Sequence, residues 1–303
     1  MKISVDFGAA WGKGFFGTKI FSLSLKKALL EYDKKNRYFF YDFKTVWPKF
    51  FWMKLGVSLK ELRLQPDVFL ALNQALPLYF HKKAIAFSHG LSFYFFPNYY
   101  PKNVLNRLNK QLKEMIMRAD KIVVSSQKVK NEFLHIFPKI KEKIYVLPFG
   151  IPFDCLKKRS KKNKEKFFIT ISGNQLIKNF SFIQATFFEF KKKNPQFKLI
   201  NVENVGRKKL INLYQKATAL LTASYYESFN LPVLEALSLG CPVIGLESAI
   251  IPELKDYVNL AKNQDEFLRL MQEIPKRPDG LSIKKLTNEF SWKKYVEKLV
   301  KLY

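Results

Sequence analysis

The stretch Ala223 to Glu253, ASYYESFNLPVLEALSLGCPVIGLESAIIPE, decides the fold. A short apolar run precedes it at residues 219–222 and a second, residues 242–246, lies within it, and both are typical of buried strands. Between them, Pro232 is suited to the first position of a helix, because a helix start cannot satisfy the N–H that proline lacks. The order strand, loop, helix, strand predicts a parallel βαβ unit and therefore an α/β fold.

Two glutamates, Glu227 and Glu235, stand eight positions apart in this stretch. The pattern predicts Glu227 in the loop and Glu235 in the first turn of the helix. In open parallel sheets ligands bind outside the carboxyl ends of the strands, where a helix start also offers free N–H groups to a phosphate. We therefore expect one carboxylate to meet a sugar and the other a ribose. The alternative, that both only decorate a helix start, stays open.

The run E-S-F-N-L-P-V-L-E, followed by A-L-S-L-G-C-P-V-I, resembles the E-x7-E signature of the family-four retaining glycosyltransferases. The resemblance implies the GT-B fold, two Rossmann-like domains that face a cleft with a nucleotide-sugar. It assigns Glu227 to the donor sugar as a catalytic residue and Glu235 to the nucleotide ribose. It also assigns the backbone N–H groups of Phe229, Asn230 and Leu231 to the diphosphate or sugar. Asn230 replaces the common glycine, and asparagine tolerates left-handed backbone.

Two further segments match landmarks of the same family. Ser-His-Gly-Leu at residues 88–91 resembles T-x-H-D-L, so His89 is expected as a catalytic histidine near the donor sugar, with glycine in place of the usual acid. The turn after a predicted strand at residues 167–172 contains Gly173 and Asn174, where the family has Gly-Arg. Lys178 is then the remaining cation for the donor diphosphate, a role that a lysine before a helix can fill.

The segment after the first predicted strand offers a second interpretation. Gly12, Gly14 and Gly17 spell G-x-G-x-x-G, and Asp42 closes the next predicted strand, which favours a dinucleotide-binding site for NAD(P). The glycines begin several residues after the strand, however, and a single glycine motif discriminates poorly. The family resemblance instead implies that Gly12, Lys13 and Gly14 lie near the donor phosphates and the acceptor.

The chain has 303 residues, enough for two α/β domains of about 150 residues each. We predict an acceptor-side domain over 1–156, a linker over 157–166 with seven basic residues, and a nucleotide-sugar domain over 167–289. The resemblance implies that 290–303 forms a final helix that crosses back to the first domain. Two cysteines without metal or disulfide spacing favour a reducing compartment.

The net charge is +28, from 53 Lys and Arg against 25 Asp and Glu. Such a charge favours nucleic acid, anionic lipid or phosphorylated substrates, although a general excess of lysine and phenylalanine also explains part of it. Trp47 to Leu55 and Leu91 to Lys102 combine large rings with lysines, a composition that suits a membrane surface. With no predicted span or signal peptide, we expect a cytoplasmic protein, peripheral at the inner face of the membrane.

The family resemblance implies a retaining glycosyltransferase that uses a UDP- or GDP-sugar, and the other observations are consistent with it. A glycan or lipid-linked acceptor of cell-envelope or polysaccharide synthesis is expected, and nucleic acid is not. No Asp-x-Asp motif is present to hold a divalent cation, so we expect no cofactor and no essential metal. Two alternatives remain, an NAD(P)-dependent Rossmann enzyme and a basic protein that binds nucleic acid or lipid; the latter would show a steep salt dependence and survive the loss of Glu227.

Overall fold

The computed structural model describes residues 1–11, 16–156, 165–173, 175–275 and 278–303. The chain divides into two compact units, one formed by Met1–Gly150 with Ser291–Tyr303 and the other by Ile151–Phe290. Each unit is built on one parallel β-sheet with helices packed against it. None of the helices within the described ranges combines the length and the apolarity that crossing a membrane requires.

The strands are β1 (Lys2–Asp6), β2 (Arg37–Tyr41), β3 (Val68–Ala71), β4 (Lys83–Ser88), β5 (Lys121–Val124), β6 (Ile144–Val146), β7 (Phe167–Thr170), β8 (Lys198–Asn201), β9 (Ala219–Thr222), β10 (Val243–Leu246) and β11 (Asn259–Ala261). The helices are α1 (Phe16–Tyr32), α2 (Val57–Leu64), α3 (Ser92–Phe95), α4 (Lys102–Arg118), α5 (Gln127–Ile136), α6 (Phe180–Lys193), α7 (Arg207–Lys216), α8 (Leu231–Ser238), α9 (Gln264–Glu273), α10 (Gly280–Glu289) and α11 (Trp292–Val300).

The sheet of the first unit has the order β2-β1-β3-β4-β5-β6. Its central strand β3, with the sequence VFLA, is buried along its whole length, as expected for a parallel strand covered on both faces. Helix α4 packs Leu112 and Met115 into this core, with Leu105, Leu108 and Ile116 beside them. These residues recur at helical spacing and so form one apolar face, which packs against the core of this unit.

The last helix, α11, packs against α1 within the first unit. The ring of Trp292 lies 6.0 Å from that of Phe21, and a Cβ on Gly150 would come within 2.6 Å of the same indole. A glycine is therefore required where the chain passes under this tryptophan. The terminal Tyr303 places its hydroxyl 3.0 Å from that of Tyr38, so the C-terminus is joined to strand β2.

The sheet of the second unit has the order β11-β10-β9-β7-β8, also all parallel. Strands β9 and β10 pair in register at Leu220 and Val243, with α8 between them in the chain, so the predicted parallel βαβ unit is present. A Cβ on Gly245 of β10 would meet the side chain of Ile250 at 2.8 Å, so the sheet has no room for a larger residue there.

Two details of the prediction are corrected. Helix α8 begins at Leu231, which makes Pro232 its second residue and puts Glu235 in the second turn, one turn later than predicted. The left-handed Asn230 (φ 62°, ψ 61°) directs the chain into the helix one residue early. Strand β2 ends at Tyr41, so Asp42 lies in the turn that follows rather than closing the strand.

Candidate functional site

The loop that follows β9 holds the first predicted carboxylate, Glu227, which is 8% exposed. Its Oε1 accepts hydrogen bonds from the ammonium of Lys178 and the hydroxyl of Ser224, both at 2.7 Å. Lys178 is the last residue of a 3-10 turn that follows β7, and the N–H of Tyr225 donates to the Ile177 carbonyl at 2.9 Å. The segments after two neighbouring strands are therefore joined at the carboxyl edge of the sheet.

The ion pair between Lys178 and Glu227 is partly buried, so water screens it less than it screens an exposed pair. Its side chains are 23% and 10% exposed, and the bond is charge-assisted. An anion that arrives beside Lys178 meets a cation already oriented by a carboxylate. The arrangement thus places an ammonium, which can bind a phosphate, directly beside a carboxylate, which can accept a hydrogen bond from a hydroxyl.

The start of α8 is fixed by the side chain of Asn230. Its amide donates to the Ala249 carbonyl at 3.1 Å and lies 3.4 Å from the hydroxyl of Thr222. Phe229 just before it is buried, with its ring 6.0 Å from that of Phe290. These contacts hold the left-handed residue in place, so that the first turn of α8 begins at a defined position at the carboxyl end of β9.

The second predicted carboxylate, Glu235, lies deeper and is 3% exposed. Its Oε1 accepts a hydrogen bond at 2.7 Å from the Nη1 of Arg207. Burial raises the pKa of Glu235 to about 7, while the charge and hydrogen bond of Arg207 act in the opposite direction. Glu235 is consequently a buried group with a cationic partner, and its protonation changes near neutral pH.

Arg207 also binds a second acid. Its Nε and Nη2 donate to the two oxygens of Asp154 at 2.9 and 2.8 Å, a bidentate pair. The sequence analysis did not identify Arg207, Asp154 or Ser224 as site residues. The local signal for Arg207 is weak: a cation at the first position of a helix opposes the helix dipole. Its partners lie 53 and 28 residues away in the chain, so no local pattern joins them.

The predicted phosphate turn is described in part. Gly173 has φ +48°, and its N–H and carbonyl are both bonded to the side-chain amide of Asn201, at 3.1 and 3.2 Å. Asn174 lies outside the described residues. Lys178, expected to be the cation of this segment, is placed on Glu227 as described above.

His89 belongs to the first unit and follows β4. Its Nε2 donates to the Leu72 carbonyl at 2.8 Å, and its ring packs 5.3 Å from Phe21 and 6.0 Å from Phe149. Burial lowers the pKa of His89, so the imidazole is neutral near pH 7. Gly90 has φ 104°, a left-handed backbone conformation that favours glycine.

The remaining predicted residues are the glycine-rich loop and the NAD(P) alternative. Gly12, Lys13 and Gly14 lie outside the described residues, as do residues 157–164 of the predicted basic linker. Asp42 uses one oxygen to accept the N–H groups of Lys44 and Thr45, both at 2.9 Å. This carboxylate therefore closes a local turn. Within the described ranges, no group of three or more His, Cys, Asp or Glu side chains is arranged to hold a metal ion.

Comparison with known proteins identifies the class of protein to which this fold and edge of the sheet belong. Residues 154–278 match the family model described as glycosyl transferases group 1. This segment, which contains Glu227, Glu235 and Lys178, belongs to that family. The predicted family, which the matching model describes as glycosyl transferases, is confirmed over this segment.

A curated relative is similar in sequence to part of this chain. A probable sucrose-phosphate synthase of Thermosipho melanesiensis is 25% identical over 232 residues, which are 61% of this chain and 54% of that protein. The chain thus matches about half the length of this curated relative.

Two solved structures resemble the whole chain. Sucrose-phosphate synthase of Thermosynechococcus elongatus is 12% identical, with a TM-score of 0.74 over 100% of this chain and 98% of that one. Anabaena Alr3699/HepE, solved with UDP and glucose, is 10% identical, with a TM-score of 0.67 over 100% and 99%. At these identities the likeness concerns the fold, and the predicted α/β class and GT-B fold are confirmed.

Proposed function

We propose that this protein transfers a hexosyl residue from a UDP-sugar to a glycan or lipid-linked acceptor, with retention of the anomeric configuration. The observation that carries the proposal is the 2.7 Å contact between Lys178 and Glu227, within the segment that matches the family. UDP is preferred to GDP because a structure of similar fold was solved with UDP and glucose. The retained configuration is an implication of the family resemblance.

The chemistry of such a transfer needs charge stabilisation more than it needs a strong acid, because the leaving group is a nucleoside diphosphate. In the proposed reaction, Lys178 turns from Glu227 to the diphosphate and stabilises the negative charge that develops as the sugar leaves. The start of α8 adds backbone N–H groups and the positive end of its dipole. Glu227, on the same edge, faces the sugar. His89 is proposed as a neutral hydrogen-bonding group for the donor sugar, and the absence of an essential metal stays a prediction.

Thermal-shift measurements with UDP-glucose, UDP-galactose, UDP-N-acetylglucosamine and GDP-mannose test the donor. A ligand present at 100 times its dissociation constant stabilises a protein by about 2.7 kcal/mol, which is a large shift in melting temperature. We expect at least one UDP-sugar to give such a shift. NAD⁺ and NADPH are included, and stabilisation by either of them alone would support the dinucleotide-binding alternative and contradict the proposal.

For the acceptor, we propose a lipid-linked molecule on an anionic membrane. Trp47, Phe50 and Phe51 are 78%, 67% and 70% exposed, and the exposed lysines Lys44 and Lys49 stand beside them. Aromatic rings insert at the level of lipid headgroups, while lysines are attracted to anionic lipid at about 1 kcal/mol each. The stretch from Leu91 to Lys102 also has exposed rings, those of Tyr94, Phe95 and Tyr99.

Sedimentation with vesicles tests this acceptor surface. We expect the protein to pellet with vesicles that contain phosphatidylglycerol at physiological salt, to remain in solution with neutral vesicles, and to be released in 1 M salt, where the screening length is about 3 Å. The double variant Phe50→Ser/Phe51→Ser should bind more weakly. Phe188→Ser is the matched control, because Phe188 is 65% exposed on helix α6 of the other unit.

Equal and negligible pelleting with both kinds of vesicle would remove the membrane from the proposal. In that outcome the basic charge points to a soluble phosphorylated acceptor, which the names of the relatives also suggest. A transfer assay with sugar phosphates in place of lipid-linked acceptors separates the two cases.

A further inference from the structure

We infer that Arg207 is a positioning residue for the donor nucleotide: it holds one oxygen of Glu235, so that the other oxygen is presented to the ribose hydroxyls. The inference rests on the proposed function, because it takes Glu235 as the group that binds the ribose. It adds a residue pair, Arg207 with Asp154, to which neither the family signature nor the comparisons give a role.

The geometry of the guanidinium carries the argument. Arg207 donates from Nε and Nη2 to the two oxygens of Asp154 and from Nη1 to Oε1 of Glu235, so three of its nitrogens are bound to two acids. A guanidinium is planar, and the bidentate pair with Asp154 fixes the direction in which Nη1 points. Asp154 thereby fixes the position of the Glu235 carboxyl through Arg207, although the two acids are 81 residues apart in the chain.

The carboxyl of Glu235 has two side-chain partners, the guanidinium of Arg207 and the hydroxyl of Tyr214, and it can accept further hydrogen bonds. An ionised carboxylate accepts about four hydrogen bonds through its two oxygens. Arg207 occupies Oε1 alone, so the bond that holds the group does not prevent Oε2 from accepting a hydroxyl. A pair of ribose hydroxyls is the kind of ligand that such a buried acceptor recognises, because hydroxyls donate without bringing a charge into the site.

The charges of the cluster disfavour an anion at this position and are compatible with a neutral hydroxyl. One arginine faces two acids, Asp154 and Glu235, and the thiol of Cys155 accepts a further bond from Arg207 at 3.4 Å. Burial opposes ionisation of Asp154, but the hydrogen bond and charge of Arg207 lower its pKa overall. Asp154 is therefore ionised, and it neutralises Arg207 enough that Glu235 is a strong hydrogen-bond acceptor.

Binding of UDP and of 2′,3′-dideoxy-UDP, measured by isothermal titration calorimetry, tests the inference. Both probes carry the same base and diphosphate, so their affinity ratio reports the ribose hydroxyls alone. We expect the wild-type protein to prefer UDP by about tenfold to a hundredfold, since a charge-assisted hydrogen bond is lost with the dideoxy probe. Arg207→Met should remove most of that preference, while it changes the affinity for the dideoxy probe by less than about threefold.

A double-mutant cycle adds a second measurement. Glu235→Ala should weaken UDP binding by about tenfold to a hundredfold, and the double variant Arg207→Met/Glu235→Ala should bind no more weakly than Glu235→Ala alone. Arg207→Lys keeps the charge without the fork, and we expect it to restore only part of the preference. Arg269→Met is the matched control, because Arg269 forms an exposed pair with Glu273 at 4.0 Å on helix α9 of the same unit.

The outcomes separate the inference from the function on which it rests. If Glu235→Ala leaves the UDP affinity unchanged, Glu235 does not bind the ribose and that part of the proposed function fails. If Glu235→Ala loses affinity but Arg207→Met keeps the full preference for UDP, the inference alone is overturned. If Arg207→Met is too unstable to purify, Asp154→Asn is measured instead: it removes one ionic partner of Arg207, and an unchanged preference in that variant overturns the inference too.

Discussion

Glu227 and Glu235 stand eight residues apart, but the chain holds them in different ways. Glu227 lies in a loop and is bound by a lysine from the segment after β7 and by the nearby Ser224. Glu235 lies inside a helix and is bound by an arginine that is itself fixed by Asp154. The first carboxylate is paired with a flexible lysine, whereas the second is paired with a planar guanidinium that Asp154 also binds.

The difference separates a group suited to change partners from a group suited to stay in place. A lysine ammonium on four methylenes can turn from a carboxylate to an arriving phosphate without a change in the backbone. A bidentate arginine gives up two bonds if it moves, so it keeps its neighbour oriented. In the proposed reaction the charge changes at the sugar and the diphosphate, beside Glu227. The ribose takes no part in the chemistry and is only bound. The exchangeable pair and the fixed pair correspond to these two needs.

The largest expected effect comes from breaking the first pair. Glu227→Gln keeps the volume and removes the charge, so the fold and the binding of UDP should be retained while transfer falls by several orders of magnitude. Release of UDP from the donor sugar, measured under saturating substrate, gives the rate, and calorimetry gives the affinity. Turnover at the wild-type rate would contradict the assignment of Glu227. The control is Glu189→Gln, since Glu189 forms an exposed pair with Lys192 on α6.

The sequence predicts features that depend on neighbouring residues, and it does not predict contacts between residues that are far apart in the chain. The parallel strand, helix, strand unit of β9, α8 and β10 was predicted, because its apolar runs and the proline at the helix start are local signals. The left-handed backbone of Asn230 agrees with its place in the family resemblance, where asparagine replaces the common glycine. The partners of the two glutamates were not predicted: Lys178 was predicted as a phosphate ligand and not as the partner of Glu227.

The reason is that these partners come from other strands of the sheet. Lys178 is 49 residues from Glu227, and Arg207 is 28 residues from Glu235, so only the order of β7, β8 and β9 in the sheet brings them together. Burial of Glu235 likewise depends on where α8 starts, and that start was predicted one residue late. The roles of the loop at Gly12 and of Asn174 stay predictions, because these residues lie outside the described ranges.

An intermediate effect is expected from pH, and it sharpens the contrast at Glu235. Burial raises the pKa of Glu235 to about 7, so the carboxyl is mostly protonated at pH 6 and mostly ionised at pH 8. An ionised carboxylate is the stronger acceptor for ribose hydroxyls, and the affinity for UDP should therefore rise with pH by up to about tenfold. The groups that face Glu235 are the charged Arg207 and Asp154, with the neutral side chains of Cys155 and Tyr214.

The measurement compares the wild-type protein with Glu235→Gln from pH 6 to pH 8. Ionisation of the UDP phosphate is common to both proteins, so it cancels in the ratio of their affinities. A ratio that stays constant over this range would contradict titration of Glu235 in the site. Stability has the opposite sign: a carboxyl with a raised pKa stabilises the folded state fully below its unfolded pKa, and that contribution is lost as the pH rises through about 7.

The smallest expected effect concerns Asn230, the residue between the two carboxylates. It is left-handed, with φ 62°, and its amide donates to the Ala249 carbonyl at 3.1 Å. Asn230→Gly and Asn230→Ala lose the same hydrogen bond, worth about 0.5–1.5 kcal/mol. Alanine also has to adopt a left-handed conformation that costs about 1–2 kcal/mol, whereas glycine adopts it freely but loses more entropy on folding. We expect the order of stability to be wild type, then Asn230→Gly, then Asn230→Ala, with about 1 kcal/mol between the two variants in urea unfolding.

This pair of variants separates the shape of the backbone from the contacts of the side chain. If Asn230→Ala is as stable as Asn230→Gly, the loop is not left-handed at this position, and α8 then begins elsewhere. If the order is as expected, UDP affinity in Asn230→Gly reports what the hydrogen bond to Ala249 adds to the site. We expect the affinity of Asn230→Gly to be close to that of the wild type, because glycine keeps the turn between the two glutamates. Glu227 then stays paired with Lys178, and Glu235 stays paired with Arg207.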